Sequence, residues 1–154
     1  MARFYRHVLS AETGIAPRAE NGPLALAAIA ARIGGTARRG ELVACFAPAP
    51  ATRHLLVYAA RVARVISAPG YAAQYGFAGR CMHRTRRVAE DEAFAPVVIF
   101  DAAQTWYFGA HPMPVPEHLC TGRGPGALPA DPRALLAWLR SDFAPAQQGG
   151  TIAC

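Results

Sequence analysis

Residues 3–9 interleave Phe4, Arg6 and Val8 with Tyr5, His7 and Leu9, and this two-residue period predicts a first strand with one richly apolar face. A run of turn formers follows. Thr13-Gly14, Ala16-Pro17 and Asn21-Gly22 make residues 10–22 a long ordered loop, and loops of that length commonly carry function. The alanine- and leucine-rich stretch 23–33 has Pro23 at a first helical position and Gly34-Gly35 just past its end, which predicts a helix burying Leu26, Ile29, Ala30 and Ile33.

A short Arg38-Arg39-Gly40-Glu41 turn then leads into an apolar strand over 42–46, closed by Pro48 and Pro50. Residues 54–66 are dense in Leu, Val, Tyr and Ile, and predict one long bent strand interrupted by Arg61 and Arg64. Residues 69–75 suit a short helix, and 76–91 a polar, arginine-rich loop. Residues 97–100 and 105–108 read as two short strands joined through an Asp101 to Gln104 turn as a hairpin. The proline-rich 111–116 stretch is extended, either a stiff connector over the surface or an imitation of a recognition peptide. Asp131 as N-cap, Pro132 in the first turn, and Leu135, Leu136 and Leu139 on one face beside Trp138 predict a final helix over 131–143. Residues 1–145 are thereby expected to form one domain and 146–154 a flexible tail. The fold class is α/β of the α+β kind: a small, curved, mostly antiparallel sheet of about five strands with two main flanking helices.

Composition narrows the picture. The 154 residues are 53% hydrophobic and 17% charged, enough apolar content for a core and too little charge for a disordered chain. All sixteen cationic residues are arginine and none is lysine, with a net charge of +6; this reflects a GC-rich codon bias or an attraction to phosphate, for which the planar guanidinium fork is suited. No secretory-type apolar segment opens the chain and its longest apolar run falls short of a membrane span, so a cytoplasmic protein without membrane association is expected. Cys45, Cys81, Cys120 and Cys154 lack zinc-ligand spacing, and no metal or cofactor is expected.

Three groups of residues can carry chemistry. Arg80, Arg84, Arg86 and Arg87, with His83 among them, can track a phosphate backbone, or form a solvated loop paired with Glu90-Asp91-Glu92. Thr13, Gly14 and Pro17 ahead of a helix can present backbone N–H groups to an anion, or simply close the core; the missing lysine excludes a P-loop. Tyr5, Tyr58, Trp106, Tyr107 and Phe108 can provide a stacking wall for a base, with Tyr107 the preferred member, or can be core. Acid–base work would fall to Glu41, His83, Asp101 or His7, with Glu41 also suited to bonding backbone at a turn. No serine stands in a Gly-x-Ser-x-Gly setting.

In their order, these segments resemble the second of the nucleotide-modification-associated domain families, small proteins connected with base hypermodification. The likeness runs nearly end to end. It rests on Thr13-Gly14-Ile15-Ala16-Pro17 after the first strand, Ala37-Arg38-Arg39-Gly40-Glu41-Leu42 leading into the next, and Leu56-Val57-Tyr58-Ala59. Tyr107-Phe108-Gly109, Pro116-Glu117 and Gly122-Arg123-Gly124 follow. A polar stretch with cysteine and proline that the family favours after the loop is replaced by Ala25-Leu26-Ala27-Ala28-Ile29-Ala30-Ala31, and the family's Gly-Arg-Gly-His step ends here in Pro125. A glycine-acidic turn before a long apolar strand is also similar to modified-base-reading barrels of the pseudouridine-synthase-associated (PUA-like) kind, which implies a partial barrel.

The resemblance implies a nucleic-acid- or nucleotide-binding protein associated with DNA base modification, recognising a modified base through Thr13, Gly14, Pro17, Tyr58 and Tyr107. Its phosphate would meet Arg80, Arg84, Arg86, Arg87 and Arg123. The departures around 25–31 favour binding over catalysis. The alternatives are an enzyme acting on a nucleotide or DNA base, with His83 and Glu41 near the reacting group, and a non-catalytic subunit that contacts protein partners of a modification or defence system.

Overall fold

The computed structural model describes residues 3–8, 25–27, 36–47, 55–75, 96–109, 111–120 and 128–145. Among these residues six strands form one sheet: β1 (Phe4–Val8), β2 (Ala25–Ala27), β3 (Leu42–Phe46), β4 (Leu55–Ile66), β5 (Val97–Tyr107) and β6 (Met113–Pro114). Among the described residues two α-helices, α1 (Ala68–Tyr75) and α2 (Pro132–Asp142), and a 3-10 turn at Glu117–Leu119 accompany them.

The sheet runs β1-β3-β4-β5-β2, with β6 paired to the start of β4. It is mixed: β1 lies parallel to β3, and the remaining pairs are antiparallel. Among the described residues β1 and β2 are the two ends of the path and do not pair with each other, so the sheet is open. The expected partial barrel, and the PUA-like likeness that rested on it, is therefore corrected.

The pair of main flanking helices is corrected too. Ala25–Ala27, expected inside a helix, is a strand whose residues pair with Ile99, Val98 and Val97 of β5. Alanine and leucine favour a helix in isolation, but the free edge of a buried β-branched strand offers backbone partners that outweigh a propensity difference of a few tenths of a kcal/mol per residue. One helix, α2, packs its apolar face on the sheet among the described residues.

The predicted final helix stands for the reasons its sequence supplied. Asp131 caps it, Oδ1 accepting from the Arg133 backbone N–H at 2.9 Å, and Pro132 fills the first turn where no N–H is needed. Leu135, Leu136 and Leu139 are buried against Leu42, Ala44, Phe46, Leu56 and Trp106, each leucine contributing about 1.5–3 kcal/mol by leaving water. Trp106 Nε1 donates to the Phe143 carbonyl at 3.2 Å, and Phe143 meets the Phe108 and Trp138 rings edge-on at 5.1 and 5.5 Å, fastening the helix end to β5.

β4 is long and bent as its composition indicated; its ladder shifts register between Ala60 and Val62 and again between Val62 and Arg64. The expected hairpin over 97–108 is instead one strand. The turn chemistry at Asp101 is real, but it forms an outward bulge: Asp101 Oδ1 accepts from Ala103 N at 3.0 Å, and Thr105 Oγ1 donates to the Asp101 carbonyl at 2.6 Å. The chain then rejoins β4, Ala60 facing Thr105 while Val62 faces Phe100. The proline-rich segment is part of the sheet, Pro114 and Met113 facing Leu55 and Leu56, and Val115 is buried with α2's leucines.

Candidate functional site

The two faces of the sheet differ in chemistry. On the α2 side the buried set is aliphatic with Phe46 and Trp106. The other side carries Val43, Cys45, Val57, Tyr58, Ala60, Val62, Val98, Phe100 and Tyr107, with Tyr5 packed against them. Register explains the division, because alternate residues of each strand point to opposite faces.

Cys45 faces Tyr58 across β3 and β4, and Tyr58 faces Tyr107 across β4 and β5. His7 occupies the same row on β1, paired with Cys45. The predicted stacking wall is thus divided. Tyr5, Tyr58 and Tyr107 share one face, while Trp106 and Phe108 belong to the α2 side. Tyr58 is 0% and Tyr107 8% exposed, and the Tyr58 ring lies 5.7 Å from that of Phe100. Burial pushes the Tyr58 hydroxyl well above its ordinary pKa, and the neighbouring Cys45 and Tyr107 add to the effect, so it stays protonated.

Glu41 stands at one end of this face, 5% exposed. One carboxylate oxygen accepts from the Arg38 backbone N–H at 2.8 Å and the other from the Arg3 backbone N–H at 3.2 Å, 38 residues away. Burial by itself raises the Glu41 pKa; hydrogen bonds from Arg38 and Arg3, the Tyr5 hydroxyl and the Arg3 charge outweigh it, leaving the carboxyl below its ordinary value. Glu41 is therefore ionised and committed to backbone, which is the turn-bonding role its position suggested.

The turn itself is tightly specified. Glu41 N donates to the Arg38 carbonyl at 3.1 Å, and Gly40 takes φ +90°. That places Arg39 and Gly40 at the two central positions of a type II turn, where the third residue requires the left-handed region that glycine enters freely. Gly40 N donates to Val62 O and Val62 N to Glu41 O, each at 2.8 Å, and Arg61 Nη1 reaches the Gly40 carbonyl at 2.9 Å. Arg61 Nε is buried without a partner. The Tyr5 hydroxyl donates to Thr36 Oγ1 at 3.2 Å beside the turn.

Arg3, Arg38 and Arg39 are exposed around this carboxylate. The sequence showed the Arg-Arg-Gly-Glu turn but not its tie to Arg3, which exists only because β1 lies parallel to β3 with Phe4 facing Leu42. Thr13, Gly14, Pro17, Arg80, His83, Arg84, Arg86, Arg87 and Arg123 lie outside the described residues. Asp101 is committed to its bulge. Among the described residues no group of three His, Cys, Asp or Glu side chains is placed to hold a metal ion, and no helix is long and apolar enough to cross a membrane.

Comparison with protein-family models, with curated proteins and with solved structures finds no match to this chain.

Proposed function

We propose that the chain is a nucleic-acid- or nucleotide-binding protein associated with DNA base modification, recognising a base together with its phosphate. The observation that carries this reading is the distribution of charge. Seven of the eight arginines in the described residues are exposed, against five carboxylates, of which Glu41, Asp101 and Asp131 already accept hydrogen bonds from backbone N–H groups. An outward arginine excess attracts polyanions and attaches to phosphate through paired donors. The ordered likeness of Thr13 to Pro17, Ala37 to Leu42, Leu56 to Ala59 and Tyr107 to Gly109 to the second nucleotide-modification-associated family supports the same reading.

The test is binding of fluorescent single- and double-stranded oligonucleotides followed by anisotropy across a salt series. Affinity is expected to fall linearly in log–log form, with a slope of about −0.7 per phosphate engaged on single strands and −0.9 on duplex. Absent binding at low salt, or binding indifferent to salt, would refute the reading.

A further inference from the structure

We propose that the turn of residues 38–41 together with Arg3 forms a phosphate-binding corner that takes the phosphate of a nucleotide unit. The proposal deepens the reading above and rests on it. Arg3 and Arg38 are attached through their backbone N–H groups to the two oxygens of one carboxylate, so their side chains start from a common, fixed point. Arg39 occupies the exposed tip of a turn whose backbone is held by Gly40 N to Val62 O, Val62 N to Glu41 O and Arg61 Nη1 to Gly40 O.

The three arginines are exposed, and no side-chain hydrogen bond joins them to another described residue, the Arg3 charge acting on Glu41 alone. Glu41 is held by backbone donors, and although the Arg3 charge acts on it, its single charge offsets only one of the three arginines. Three guanidinium charges around one inward-turned carboxylate leave the corner cationic. Anchored backbones cut the ordering cost of binding, which separates this corner from isolated surface arginines.

The experiment compares Arg38→Ala/Arg39→Ala with Arg133→Ala/Arg140→Ala, which removes equal charge from α2. Each is measured by anisotropy with a single-stranded oligonucleotide across salt, after melting curves show both variants folded. The corner predicts a loss of about tenfold or more for the first pair, with the salt slope flattened by about 1.4 units, and a change under about twofold for the second. Equal losses in the two pairs would overturn the corner while leaving the nucleic-acid reading standing. Absent binding by the unaltered protein would overturn both. Competition with a nucleoside monophosphate at constant ionic strength separates the sources: displacement only by the strand assigns a polynucleotide backbone, and displacement by the monomer at equal concentration assigns a free nucleotide.

Discussion

Replacing Glu41 by glutamine leaves the shape of the side chain and removes its charge. In the native protein the carboxylate accepts at 2.8 Å from Arg38 N and at 3.2 Å from Arg3 N, and closes the start of β1 onto β3. Hydrogen bonds to a charged acceptor contribute about 1.5–3 kcal/mol against 0.5–1.5 for neutral ones, and the glutamine amide turns a donor toward one of these two donors. The expected loss at neutral pH is about 2 kcal/mol, or roughly 4–8 °C in melting temperature for a domain of this size.

The Glu41 pKa is lowered in the folded state, so its contribution is fully present above the unfolded pKa and disappears as pH falls through the folded value. Urea denaturation of both proteins at a series of pH values measures this directly. The gap between them should be widest near neutrality and shrink on acidification as the native carboxylate takes up a proton. A glutamine variant of unchanged midpoint at neutral pH, or a gap of constant size down to about pH 3, would refute the clamp. Either result would return Glu41 to consideration as a functional acid.

Three further outcomes follow from the same geometry. Gly40→Ala must hold an L side chain at φ +90° with no neighbour within 4 Å to clash, so it should cost about 1–2 kcal/mol from backbone strain alone, read as a lowered urea midpoint. Asp131→Ala should destabilise by about 1 kcal/mol through loss of the cap on Arg133 N, with Asp131→Asn recovering most of it in the same measurement. Leu139→Ala, fully buried beneath α2, should cost about 2–5 kcal/mol; a loss below 1 kcal/mol by calorimetry would contradict the packing described for that face.

Legibility varied along the chain according to how local the deciding physics was. The cap, proline and leucine face of α2 lie within thirteen consecutive residues, and each acts on its own helix, so the helix was readable as written. The 38–41 turn was readable because glycine at its third position supplies the positive φ. At Asp101 the local signal was correct and the conclusion drawn from it was not. An aspartate taking its own following N–H makes a turn, but whether the chain reverses there or bulges and continues depends on the ladder offered by β4.

The sequence by itself determined the apolar strands at 42–46 and 55–66, the capped final helix, the arginine-only positive charge and the turn that presents two arginines beside an acid. These follow from neighbours within one turn or one strand. Tertiary structure alone decided the rest: that Ala25–Ala27 pairs along β5, that the sheet is open among the described residues, and that Tyr58 and Tyr107 share a face while Trp106 takes the other. It also decided that Arg3 meets Glu41. The reason is common to all of these. A strand's partner and register are set by backbone groups and apolar faces far away in the chain, and a shift of one residue exchanges the faces on which every side chain lies.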